Sequence, residues 1–536
     1  MNTLKQRVLS LSAVAALMLS LAACGSEPAQ SASRQDSSQA ADGEERALVL
    51  SQDQVTLDGQ EVSEGDNGAI TVSHDIVYYQ EGQGSEYGEG TAEEEHSAEE
   101  ADAHLVVTIR EAGTYRVSGE LTQGQLAVNL GDEAEDDPSA VVTVILDGAD
   151  VTCTVAPAFM VYNVYECGST DAETASATVD TTGAGINVIL ADGSENTFTG
   201  SHVARIYEEG TTDKLHKYDG AFYSKMSMNI SGESEGTGVL NIAGDNEGLD
   251  SELHLTINGG VINIRAQNDG INTSEDNVSV TTINGGTIQI NAGLGAEGDG
   301  IDSNGYLVIN GGNVYATACE QGADAGLDAS LDIQINGGFV VGLGGMLDTI
   351  SNDSQQEYMV LSFASSLPSG SEVALSDPDG ASLLFFTTEK AGQILLFSSP
   401  DLSQGVDYTL TVDGVTQQYT GNQAGGGMPG GDMGGRGSAM LEIPDSLESW
   451  LSTAQDVPDD IRTWLEGLLE QHNSQPTPPE GGEISADGQE PPQNNGQRPA
   501  ESAPGQGGGV ESGTPSTLFA LAENTHIFSG ITDSTQ

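Results

Sequence analysis

The chain has 536 residues, with 82 acidic side chains against 15 Lys and Arg, and a formal net charge of −67 at pH 7. Such a charge repels nucleic acid and anionic lipid, so neither is expected as a partner. It reads either as plain solubility or as a supply of carboxylates for cations. With 70 Gly and 5% aromatic residues, the composition favours many tight turns over a helical domain.

Lys5 and Arg7 precede an apolar run, Val8 to Leu21, that stops at Leu21-Ala22-Ala23-Cys24-Gly25. A charged start, a short apolar core and small residues before the cut predict a secretory signal over residues 1–23, too short for a stable span. The ending resembles a bacterial lipobox, which would lipidate Cys24 and leave the protein anchored on the extracellular face of the membrane. Residues 24–46 read as a polar tether. Cys153 and Cys167 can either bridge neighbouring strands, as an oxidising compartment permits, or stay free. The cysteine spacings give no zinc signature.

From residue 47 onward, short alternating runs such as "AITVSHDIVYY", "HLVVTI" and "AVVTVILDGADVTC" predict strands bounded by Gly, Asp and Asn. The acidic stretch 82–103 is expected to be disordered. Then Asn258, Asn284, Asn310 and Asn336 recur every 26 residues in frames such as "LHLTINGGVINI" and "YLVINGGNVYA". A fixed period of this size, with two or three short strands per unit and no helical stripe, predicts an all-β fold: a solenoid of about 26 residues per coil, spanning residues 47–345. The four asparagines should stack about 4.8 Å apart and bond one another as a ladder. In the second coil the valines of "NVSVTTI" sit one position out of phase, which predicts a bulge.

After residue 345 the period is lost. Residues 346–421 read as strands that close the open end of the solenoid, 422–440 as a Gly-rich linker and 473–516 as a Pro/Gly/Gln-rich disordered linker. Between the linkers, residues 441–472 form a small helical insertion: Ile461, Trp464, Leu465, Leu468 and Leu469 follow helical spacing. Residues 517–536 return as a terminal strand.

A second repeating frame, x-Gly-(Ile/Leu)-(Asp/Asn), occurs at residues 247–250, 269–272, 299–302 and 325–328. Stacked coils bring these acids into a column, where adjacent carboxylates about 5 Å apart repel by up to ~1 kcal/mol per pair in water. Calcium would compensate, since it takes six to eight oxygens from carboxylates, amides and carbonyls. The candidate ligands are Asp245, Glu247, Asp250, Asn268, Asp269, Asn272, Glu297, Asp299, Asp302, Asn304, Asp324 and Asp328. The bland alternative is a solvated acidic edge whose Asp and Asn residues make turns.

The segments "GTYRVSGEL", "VILDGADVT", "ADGSENTFTG", "DGAFYSKMSMNISGESEGTGVLNIAG", "NDGIN" and "GDGIDSNGYLVINGGNVYA" together resemble a family of secreted carbohydrate-binding proteins from cellulolytic anaerobes. The resemblance covers about residues 105–345. It implies a right-handed parallel β-helix of polysaccharide-lyase-like fold, calcium in the coils, and binding of cellulose or acidic pectic sugars without known catalysis. The long acidic loop and the helical insertion depart from the family's pattern.

Lyase chemistry on uronic acids needs a Lys or Arg base beside a calcium-held carboxylate. Between residues 240 and 345 only Arg265 is of that type, at an outward strand position; His254 is likewise expected outward. A binding role fits better, because a flat periodic face suits an extended polysaccharide. Asn263, Arg265, Gln289, Asn291 and Tyr315 are the candidate sugar contacts. A structural or adhesive surface protein is the second reading and a calcium-dependent lyase the third. A monomer is expected.

Overall fold

The computed structural model describes residues 44–80, 94–204, 217–423, 515–522 and 526–535. The lipidation site Cys24, the Gly-rich linker from residue 424, the helical insertion 441–472 and most of the second linker lie outside them. Strand dominates the described residues: pairing gives a 26-stranded and an 8-stranded sheet, with one five-residue helix. None of their helices is long and apolar enough to cross a membrane.

Three parallel ladders organise the repeats. In the first, Met228–Gly232, His254–Ile257, Val280–Ile283, Tyr306–Ile309 and Asp332–Ile335 follow one another in register. In the second, Val239–Gly244, Val261–Ala266, Thr287–Asn291, Asn313–Thr317 and Phe339–Gly344 do the same. The third holds Phe159–Asn163, Gly220–Ser224, Glu247–Ser251, Ile271–Thr273 and Ile301–Ser303. Each unit therefore lies directly on the one before it.

Alternation along each strand sends every second side chain inward. Ile257, Ile283, Ile309 and Ile335 form one interior file and Ile262, Ile288, Val314 and Val340 another, all fully buried. Each such side chain contributes roughly 1.5–3 kcal/mol by leaving water. Near the front of the stack, Phe159 and Phe222 lie face to face at 4.1 Å, with Phe198 edge-on to both.

The asparagine ladder is present. Asn284, Asn310 and Asn336 each donate Nδ2 to the Oδ1 of the preceding asparagine at 2.9 Å. It runs along a largely exposed corner rather than through the interior. The second glycine of each Asn-Gly-Gly turns the chain with a positive φ, +94° at Gly286, where a Cβ would lie 2.8 Å from the Gly260 carbonyl of the unit below. Glycine is required there on both counts.

Several expectations need correction. The second unit carries no bulge: Val280–Ile283 pairs without a register shift on both sides. Thr281 occupies the interior position of Leu255 and Leu307, and its hydroxyl is paired with that of Thr273 at 3.0 Å. His254 is on the outer side, opposite Leu255, but it is not exposed: the loop at Gly168 covers it, its Nδ1 accepts the Val280 N–H at 3.1 Å, and burial pushes its pKa down to about 4. The acidic stretch is ordered at its end, where Ala98–Asp102 forms a helix capped by Ser97; residues 81–93 lie outside the described residues. Cys153 and Cys167 are both free. Cys153 points into the core, whereas Cys167 sits in the loop packed on Gly183. The tether ends sooner than expected, because Arg116 pairs with Glu45 at 2.7 Å and strand begins at Arg46. At the expected end of the second linker, Ser516 exchanges backbone hydrogen bonds with Tyr419.

Beyond the repeats, Gly392–Ser398 pairs antiparallel with the last second-ladder strand, Phe339–Gly344, and with Tyr358–Leu367. These strands, with Phe519–Ala520 and Ile527–Asp533, enclose a second core around Phe397, Phe519 and Phe528.

Candidate metal centre and ligand face

The third ladder carries the acids in two files. Tyr223, Asp250, Asn272 and Asp302 are cross-strand neighbours, and Asp328 continues that file through its backbone bond to Ile301. One turn earlier in each unit stand Glu247, Asp269 and Asp299, linked by the bonds from Gly248 N to the Asp269 carbonyl and from Gly270 N to the Asp299 carbonyl, both 3.0 Å. The glycine of the frame is structural: a side chain at Gly270 would collide with Ile290 and with the Gly300 carbonyl.

At the head of the files, Asp219, Glu247 and Asp250 place one carboxylate oxygen each within 4.8 Å of one another, and all three are at most 4% exposed. Asn272 donates to Glu247 Oε1 at 3.1 Å and Ser274 donates to Asp250 Oδ1 at 2.9 Å. Lys217 is ion-paired with Asp219. Burial works against its charge, but the carboxylates of Asp219, Glu247 and Asp250 outweigh that and hold its pKa above the ordinary lysine value.

Burial first, and then the charge of Asp219, pushes Glu247 up to about 7. Asp250, Asp269 and Asp299 are raised for the same two reasons, burial and neighbouring carboxylates. Asp328 is pushed up to about 7 by burial and by Asp302.

The residues fit a metal ion. Glu247 Oε2 and Asn272 Oδ1 are buried acceptors with no hydrogen-bond partner, a costly state that a cation would relieve. Three carboxylates less the Lys217 ammonium leave two negative charges, and the donors are all oxygen, which suits a hard divalent ion.

Not every expected ligand joins the files. Asp245 is held by His202 Nδ1 at 2.9 Å and by Ser201 Oγ at 2.6 Å, away from the triad. Burial opposes the His202 charge, yet Asp245 pushes its pKa up to about 10. Asn304 donates outward to Ser274 and Asp276, and Glu297 is exposed. Asn268 is built into the backbone beside the files, donating from its N–H to Asn246 and accepting from Gly293. Asp324 stands at their lower end, where its charge bears on Asp299 and Asp328.

The expected ligand face is partly covered. Asn263 and Gln289 lie in one row of the second ladder, Gln289 exposed and Asn263 bonded to Asn241 at 2.9 Å. Tyr315 continues the row, half-buried, with its ring packed against Phe339 at 5.7 Å at the edge of the C-terminal core. Arg265 and Asn291 form the adjacent row, and the turn carrying Lys390 closes over them: Lys390 Nζ donates to the Ala292 carbonyl, and Ala391 N to Glu320 Oε2 at 3.3 Å.

Asp219, Lys217 and Lys390 were not among the expected site residues. The Asp-Gly pair at 219–220 repeats at 269–270 and 299–300, a signal blurred by uneven spacing. Lys390 lies outside the repeats and leaves no periodic trace.

The fold and site define an all-β protein of long parallel ladders with a buried acidic triad able to hold a metal ion. The profile of the carbohydrate-binding domain-containing proteins matches residues 103–377, just over half of the chain, and the chain belongs to that family. No curated protein matches it. Among solved structures, a chain described as a polysaccharide lyase-like protein from C. thermocellum, in a gadolinium derivative, is similar at 21% identity and a TM-score of 0.34. That match covers 57% of this chain and 91% of the other.

Proposed function

We propose that the protein binds polysaccharide, cellulose or acidic pectic sugars, on a right-handed parallel β-helix that calcium stabilises. Family membership over residues 103–377, which take in the stacked repeats, carries this reading. The periodic face of amides around Asn263 and Gln289 supports it chemically, because amides pair with sugar hydroxyls as donor and acceptor. Calcium is held by Asp219, Glu247 and Asp250, with Asn272 beside them. An ion buried so deeply stiffens the stack and does not bridge to a sugar. The protein acts without catalysis: Lys217, the cation among the acids, is held protonated and makes a poor base. The signal and lipobox-like start support a lipid-anchored protein on the extracellular face of the membrane, and we take it to act as a monomer.

A glycan array run in calcium tests the reading. Binding to plant cell-wall glycans is the expected result, and silence across plant and microbial glycans would favour an adhesive or architectural role. Ultraviolet-absorbing unsaturated products from pectin would show lyase activity instead.

A further inference from the structure

The C-terminal region holds a further sheet, in which Ser382–Thr387, Glu372–Ser376, Asp407–Val412 and Val415–Gln418 pair side by side in that order. Alternation sends Val373, Leu375, Phe386 and Leu410 into the C-terminal core. Phe385, Ala374, Thr411 and Thr416, cross-strand neighbours in one row, therefore line the other side. Ser376 and Thr409 make the next row, and Leu518 adjoins it, turned away from the core that takes Phe519. Phe385 is 65% exposed and Leu518 47%, the two most exposed large apolar side chains among the described residues. None of these face residues is charged, in a chain with 82 acidic side chains. Acids stand at the ends of the face, Glu372 and Asp413 at one and Asp377 and Asp407 at the other.

The chain leaves this sheet and comes back to it. Gly421–Gln423 pairs with Ile527–Asp533 just before residue 424, and Ser516, just after residue 514, exchanges backbone hydrogen bonds with Tyr419. Both ends of the stretch 424–514 thus attach beside Val415–Gln418, three strand spacings or roughly 15 Å from the Phe385 strand. The Gly-rich residues 424–440 reach roughly 20–25 Å on average. Residues 458–470 carry the stripe of Ile461, Trp464, Leu465, Leu468 and Leu469. A helix that short is marginal alone in water and needs an apolar surface to hold it. The same residues include Asp459, Asp460, Glu466 and Glu470 against Arg462, so acidic surface repels them and an uncharged face does not. Attachment at both ends raises their effective concentration there to the millimolar range, which a second copy does not reach in dilute solution.

We propose that the uncharged outer face around Phe385, Thr411 and Leu518 is the docking surface for residues 458–470 of the same chain, which lay their apolar stripe on it. The contact fastens the stretch 424–514 to the C-terminal strands and withdraws an apolar patch from other proteins. It holds whatever ligand the repeats take.

Tryptophan fluorescence of the full chain tests it, because both tryptophans, Trp450 and Trp464, lie within residues 424–514. Trp450→Phe leaves Trp464 as the sole emitter. In that background the emission should be blue-shifted and shielded from acrylamide at every protein concentration. Phe385→Ser and Thr411→Glu change side chains outside the core, so the circular dichroism of the strands should stay as it is. Each should shift the emission to the red and raise the acrylamide quenching constant about twofold or more, as loss of an interface anchor does. Emission of a fully hydrated tryptophan in the parent overturns the docking, and so does shielding that survives both substitutions. Shielding that grows with concentration, together with a dimer in sedimentation, gives the face to a second copy and overturns it equally.

Discussion

Asn272 donates its side-chain N–H to Glu247 Oε1 one unit below it, at 3.1 Å, while Glu247 Oε2 and the amide oxygen of Asn272 are both buried without a partner. Two acceptors left open side by side inside a fold are an arrangement that a cation completes.

Calcium should accordingly raise the melting temperature. At a hundredfold excess over the dissociation constant the gain is about 2.7 kcal/mol. Glu247→Gln and Asp250→Asn should remove most of that increment while leaving the EGTA-treated protein as stable as before or more so, because each deletes a buried charge. Differential scanning calorimetry with and without calcium checks this, and an undiminished increment in both variants would remove the triad as the site.

The metal-free protein should lose stability as pH rises. Glu247 and Asp328 have ordinary values of 4.5 and 3.8 and stand near 7 in the folded chain. Folding thus favours their protonated forms, so stability declines from about pH 4 to a plateau above pH 7. Calcium requires the ionised carboxylates, and its benefit runs the other way, greatest above pH 7. Melting curves at pH 5 and pH 8 in EGTA should place the higher midpoint at pH 5; calcium should shrink or reverse the difference.

Asn310→Ala removes two rungs of the ladder at once. Because the corner faces solvent, the cost should be modest, about 1–2 kcal/mol. Gly286→Ala should cost more, above about 2 kcal/mol, since it adds a positive-φ penalty to a clash with the unit below. Urea titration ranks the pair, and the reverse order would contradict the turn geometry.

Denatured protein should yield three alkylatable thiols without reductant, Cys153, Cys167 and Cys319, besides any at Cys24. In the native state Cys153 should resist labelling, because burial pushes its thiol up to about 12. Mass spectrometry after alkylation reads both results.

The stacking of the units was legible because the sequence states it twice, in the Asn-Gly-Gly turns and in the x-Gly-(Ile/Leu)-(Asp/Asn) frames. Position within the period identified Asp250, Asn272 and Asp302 as neighbours. It misled for Thr281, where a hydrogen bond to Thr273 makes a polar side chain acceptable inside, and it did not reveal that the loop at Gly168 covers the outward His254. Asp245 belongs to the same acidic stretch as the triad, yet His202, distant in sequence, captures it. Lys217 and Lys390 arrive from connecting segments, where no period constrains what reaches the ladders. The partial covering of Tyr315 was invisible for the same reason.

The reversal of strand direction between Phe339–Gly344 and Gly392–Ser398 bears on how the molecule behaves in a crowd. A ladder of near-identical rungs is a template on which another copy could continue indefinitely, as fibrils do. Gly392–Ser398 occupies the open edge of that last rung, and Tyr358–Leu367 covers its far side in turn, so the second ladder ends without a free edge on which such growth could start.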